Sequence, residues 1–183
     1  MSDRWRRHLE ETGEPWHLLA DGGGRKPWLA EAGGTTWFGA FRANVVVAYG
    51  AEPGPWVKVG TWDGGYAGTD PGPDVRAENA KVNVADRLVL AAAEVPEGEA
   101  FRDRASVDSR LDAARAALTP WAPTELRIDG DIYAALLTSS GHHQILFTTD
   151  TDRCIFVQSS HLPAPTELVT CTDLALLDAL RPV

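Results

Sequence analysis

The sequence predicts an α+β fold, with two antiparallel β-meanders at about 16–62 and 126–171 packed with flanking helices. Three observations carry that expectation. Short runs of β-branched and aromatic residues recur between clusters of Gly, Pro, Ser and Asp, the punctuation of hairpins. Segments with helical spacing stand before, between and after the strand-rich stretches. Nothing shows the strand–helix alternation of a parallel nucleotide-binding sheet or its glycine fingerprint. A chain of 183 residues is long enough for one sizeable core. It reads as a single α+β domain over 1–183, divisible into two closely packed lobes of about 1–95 and 105–183.

The first half begins with a helix that Ser2 can cap and that runs to about Thr12, with Trp5 and Leu9 on one face. Gly13 and Pro15 end it. Trp16–Leu19 and Pro27–Leu29 fit two short strands around the turn Asp21–Gly24. The Gly-rich run is not a phosphate loop, because Lys26 is followed by Pro27 and no helix opens behind it. Thr35–Tyr49 is the longest strand candidate. Trp37, Phe41, Val45, Val47 and Tyr49 share one parity, and a bulge or bend is expected at Gly39. A loop at Gly50–Pro55 leads to the strand Trp56–Trp62.

Asp63–Asp74 is a long Gly- and Pro-rich loop, expected to be mobile and to form part of a functional edge. The segment 75–93 reads as helix, with a competing strand reading at Val82, Val84 and Leu88–Leu90. Ser106 caps a further helix, with Val107, Leu111, Ala114 and Leu118 on one stripe and a stop at Thr119-Pro120.

The second strand group runs from Leu126–Ile128 through Asp129-Gly130-Asp131 to Ile132–Leu137, then Ile145–Phe147, Cys154–Val157 and Glu167–Cys171. A three-residue loop Asp150–Asp152 would set Phe147 opposite Ile155 and Ile145 opposite Val157, giving one wholly apolar face. Thr172 is the expected cap of a last helix whose Leu174, Leu177 and Leu180 face the sheet.

A net charge of −9 and a pI near 4.9 argue against nucleic acid as a partner, and no Lys/Arg run offsets them. The N-terminus has no apolar segment of the secretory type, and Leu88–Ala93, the longest apolar run, is too short to span a bilayer. These features predict a cytoplasmic protein with no membrane partner. Two cysteines, Cys154 and Cys171, make no disulfide framework.

Candidate chemistry centres on His142, His143 and His161, with Asp129, Asp131 and Asp150 as carboxylate partners. The spacing matches no metal signature, so neither a metal nor a cofactor is expected. Alternate turns of a meander fall at opposite ends, which parts His142 from Asp150 and sets His161 near His142. The more suggestive feature is aromatic: Trp37, Trp56, Trp62 and Tyr66, beside the acidic loop residues Asp63, Asp70 and Asp74.

Three readings follow. The first is a non-enzymatic acidic module of inhibitor, immunity or chaperone type, gripping a protein partner through a basic contact surface. The second is a metal- or His-dependent hydrolase. The third is a small-molecule binding protein with an aromatic-walled pocket between the two strand groups.

Overall fold

The computed structural model describes residues 4–37, 40–50, 54–62, 73–95, 104–151 and 153–180, with backbone alone at 23, 35–37, 40, 73–76 and 104–106. The Asp63–Asp74 loop therefore falls outside the described residues, save the backbone of its last two positions. In chain order the elements begin with α1 (Arg4–Thr12), β1 (Trp16–Leu19) and a 3-10 turn (Gly22–Gly24). Then follow β2 (Pro27–Trp37), β3 (Ala40–Tyr49), β4 (Trp56–Trp62), α2 (Pro73–Ala92) and α3 (Arg104–Ala116). The chain closes with β5 (Ala122–Ile128), β6 (Asp131–Ser140), β7 (His143–Thr148), β8 (Cys154–Ser160), β9 (Glu167–Cys171) and α4 (Leu174–Ala179).

All nine strands join one curled sheet, in the order β1-β9-β5-β6-β7-β8-β4-β3-β2. Every pairing is antiparallel except β5 beside β9. The architecture is α+β with a mainly antiparallel sheet, as the sequence predicts. The two strand groups are not separate, because β4 pairs with β8 along their whole length. Nor do β1 and β9 stay with their expected neighbours. They pair with each other, so Trp16–Leu19 and Pro27–Leu29 are not a hairpin.

The curl makes both faces of the middle strands interior. On the inner face Trp16, Val47, Tyr49, Leu126, Leu146 and Val157 meet Trp5 and Leu9 of α1 and Leu177 of α4. The Tyr49 hydroxyl accepts from Leu19 N–H at 3.0 Å, tying β1 across the sheet to β3. On the outer face Val46, Ile145, Phe147 and Phe156 pack on Ala80, Val84 and Leu88, spaced four apart on α2. This continuous stripe settles 75–92 as helix. Gly60 is required here: a Cβ on it would stand 2.1 Å from the Phe156 ring that lies across it. Among the described residues no helix is long and apolar enough to cross a membrane.

Three local expectations are corrected. Thr35–Tyr49 is not one strand, for residues up to Trp37 lie antiparallel to those from Ala40 on, with Trp37 opposite Ala40; Gly39 itself is outside the described residues. The last helix is capped by Asp173, not Thr172: its Oδ1 accepts from Ala175 N–H at 2.8 Å and Leu176 N–H at 3.2 Å. The β7–β8 register also differs by one residue, with Phe147 opposite Phe156, Leu146 opposite Val157 and Ile145 opposite Gln158. Because α2 covers the second face, the strands need no polar side, and Gln158 is accommodated by donating from Nε2 to Arg87 O at 3.4 Å.

Candidate functional site

Alternate strand connections lie at opposite ends of the sheet, and each end carries a cavity of about 200 Å³.

At one end the tight turn between β6 and β7 places His142 beside His143, and β8 ends directly at His161. The cross-strand pair His143–Ser160 and a hydrogen bond from His161 N–H to His142 O at 3.0 Å draw the three imidazoles together. His142 and His161 stack, with ring centroids 3.7 Å apart and planes 16° from parallel. His142 lies 4.2 Å from the His143 ring. His143 turns inward, its centroid 5.8 Å from the Trp56 ring, and is only 4% exposed. These four rings, with Glu94 and Ser160, wall the cavity. Trp56 comes from β4 and the histidines from the far strand group, so the cavity sits where the two groups meet.

Two features mark this end. Neither His143 ring nitrogen has a hydrogen-bond partner among the described residues. Burial first, and then the neighbouring His142 and His161, push the imidazole down to about 4 against the weaker pull of Glu94. In addition, Glu94 and His161 hold left-handed backbone, at φ 50° and 58°. Glu94 closes α2: its N–H reaches Ala91 O at 3.0 Å and Val95 N–H reaches Leu90 O at 3.2 Å, a helix end that ordinarily takes glycine.

At the other end Asp129 and Gly130, at φ 54° and 91°, form the two-residue turn between β5 and β6. Asp129 Oδ1 accepts from Thr170 N–H at 3.0 Å on β9. Hydrogen bonding from Thr170, its side chain first and then this N–H, outweighs slight burial and holds the carboxyl below the usual range. Asp131 and Tyr133 line the cavity beside it, and His17 of β1 faces in from across the curl. His17 Nδ1 lies 2.7 Å from Thr61 Oγ1. Burial pushes its imidazole down to about 4, while Asp129 pulls it up and Arg153 pushes it down.

Arg153 is buried in the wall. Its guanidinium donates to Ala43 O, to Asn44 Oδ1 at 3.3 Å, and to Glu14 Oε2 at 3.3 Å. Glu14 is shared with Arg42 Nη1 at 2.7 Å and His8 Nε2 at 3.2 Å.

The structure thus gathers His142, His143 and His161 and sets them apart from Asp129 and Asp131, separated by the ten residues of β6, roughly 30 Å. Asp150 is exposed in the β7–β8 connection, at the carboxylate end. Asp152 lies outside the described residues. Among those residues no group of His, Cys, Asp and Glu is arranged to hold a metal ion.

Of the aromatic set, Trp56 is buried with Lys58 Nζ 4.9 Å from its ring, and Trp62 is half-buried 5.7 Å from the Arg87 guanidinium. The Trp37 and Asp74 side chains, and all of Asp63, Tyr66 and Asp70, are outside the described residues. Sequence reasoning missed His17 and Arg153. The signal for His17 was present, a polar residue within the apolar run Trp16–Leu19; Arg153 had none, standing in a polar turn.

No protein-family model, curated protein or solved structure matches this chain.

Proposed function

We propose that the protein binds a small molecule in the cavity walled by Trp56 and the three histidines. One observation carries this reading: His143 is buried at the cavity with neither ring nitrogen partnered among the described residues. A buried polar atom without a partner costs about 1–3 kcal/mol, and native proteins retain few of them. Two left-handed non-glycine residues, Glu94 and His161, meet at the same cavity, and such strain gathers at ligand clamps. The walls suit a flat body with a few polar edges. Trp56 and the imidazoles supply ring faces, and Glu94 and Ser160 supply polar groups. His142 is exposed and lies over His143, so a shift of its side chain brings the His143 nitrogens to a ligand.

A thermal-shift screen of small aromatic and heteroaromatic compounds tests this, followed by imidazole NMR with the hits. Hits are expected to move the His142, His143 and His161 ring signals and to lose their effect in His143→Phe. A screen whose hits leave those signals unmoved would sink the reading.

A second reading, the acidic module gripping a basic protein partner, is supported by the net charge of −9 and by Trp28, exposed at 37%. Trp56 does not contribute to it, since it is buried. In both readings the protein acts in the cytoplasm without nucleic acid. Affinity capture through the chain's own surface, with Trp28→Ala as the control, tests the second.

A further inference from the structure

The cavity at the carboxylate end is independent of the histidine cavity, and its charge is unbalanced. Asp129 and Asp131 both line it, and among the described residues neither stands in an ion pair. Its one cationic wall residue, Arg153, is already set against Glu14 at 3.3 Å. His17 adds no charge at neutral pH, being pushed down to about 4 chiefly by burial. Two carboxylates therefore outnumber the one cation among the described residues of its wall.

His17 adds direction. It is 5% exposed, and Thr61, its hydrogen-bond partner, is 1% exposed. Among the described residues the Thr61 hydroxyl has one side-chain partner, His17 Nδ1. Were Nδ1 to carry the proton, the buried hydroxyl hydrogen would be left without an acceptor, at a cost of about 1–3 kcal/mol. Thr61 O–H therefore donates to Nδ1, and the ring proton sits on Nε2. His17 lines the cavity, and its Nε2 has no hydrogen-bond partner among the described residues. The cavity thus offers a neutral N–H donor on its floor and two carboxylates at its rim. A ligand that satisfies both carries a cation and, a few atoms away, an oxygen acceptor.

We propose that this cavity binds a compact primary amine bearing an oxygen acceptor, its ammonium held by Asp129 and Asp131 and its oxygen by His17 Nε2–H. The class includes amino alcohols and amino amides. Tyr133, on the cavity wall, offers a ring face that favours the same cation.

The test uses the full chain at neutral pH and fixed ionic strength, titrated with ethanolamine, ethylamine and acetate, and followed by the His17 imidazole signals. Ethanolamine is expected to bind several-fold tighter than ethylamine, about the worth of one hydrogen bond, and acetate not at all. The double variant Asp129→Asn/Asp131→Asn should weaken ethanolamine by about tenfold or more, as expected for losing a charge-assisted contact. Asparagine tolerates the left-handed backbone at position 129, so this variant keeps the turn. His143→Phe should leave the titration unchanged, which separates this site from the histidine cavity. Equal affinity for ethanolamine and ethylamine would overturn the role of His17. Binding unaffected by the double variant, tighter binding of acetate, or no response to either amine would overturn the proposal.

Discussion

His17 and His143 lie at opposite ends of the same sheet, and burial pushes both imidazoles down to about 4. Their surroundings are otherwise opposite. His17 is held by a buried hydroxyl at 2.7 Å and faces carboxylates. His143 has ring faces on two sides, two further imidazoles as neighbours, and no hydrogen bond among the described residues. A lowered proton affinity therefore says only that the ring is buried. Whether the ring stabilises the fold depends on what its nitrogens meet.

The largest expected effect is common to both ends. Each ring binds a proton near 6.5 when unfolded and only near 4 when folded. The unfolded chain therefore takes up protons first as pH falls. Folding stability should be full above about pH 6.5, decline between 6.5 and 4, and lose nothing more from these rings below 4. A difference of this size is worth roughly 3 kcal/mol per histidine. Glu14 and Glu31 steepen the fall lower down. Burial pushes both carboxyls up, but hydrogen bonds from Arg42 and His8 to Glu14, and from Arg87 to Glu31, outweigh it and hold them below the usual range. Their contribution is present above the unfolded carboxylate range and goes as the folded groups protonate. Urea unfolding at pH 7.5, 6.0 and 5.0 isolates the histidines. Unchanged stability across that range would show that neither ring is held neutral.

Next in size is a substitution whose sign should differ between the ends. His143→Phe keeps an aromatic ring in the gap and removes two polar atoms without partners among the described residues. It should stabilise the protein at pH 7 by about 1–2 kcal/mol. His17→Phe strands the Thr61 hydroxyl and should cost about 1–3 kcal/mol. Both variants should flatten the pH profile, each by its own share. A loss of stability in both would mean that the His143 nitrogens are satisfied in solution, and the contrast between the ends would fail.

The same contrast explains what was legible in the sequence. Helix stripes at Trp5 and Leu9, and at Val107 and Ala114, could be read because each helix buries one face. The α+β class and the nearness of His142 to His161 follow from local punctuation and from the rule that alternate turns fall at opposite ends. Register was not legible for β7 and β8, because the inner core takes Leu146 and Val157 while α2 takes Ile145 and Phe156. With both faces apolar, alternation gives no purchase. The pairing of β1 with β9 joins the two extremes of the chain, which no local pattern encodes. His17 was lost for that reason: its importance comes from Thr61 and Asp129, brought to it by the curl. The break of Thr35–Tyr49 into two strands was hidden because residues on both sides of it have strand character.

The smallest effect concerns backbone strain and again separates the ends. Glu94 and Asp129 both hold left-handed backbone, at φ 50° and 54°. Glu94 is exposed and its position needs only the helix-closing backbone bonds, which glycine makes as well. Glu94→Gly removes the clash of Cβ with its own carbonyl but loosens the unfolded chain, so the net gain should be about 1 kcal/mol or less. At Asp129 the side chain does more. Its carboxylate accepts from Thr170 N–H at 3.0 Å and holds β9 against the turn. Aspartate also tolerates this backbone better than glutamate does. Asp129→Gly therefore relieves less strain and forfeits a hydrogen bond worth about 0.5–1.5 kcal/mol, and should be neutral to destabilising. Chemical denaturation of the two variants at pH 7 measures the difference. Should Glu94→Gly destabilise the protein instead, the Glu94 side chain would be making a stabilising contact at the histidine cavity even in the free protein.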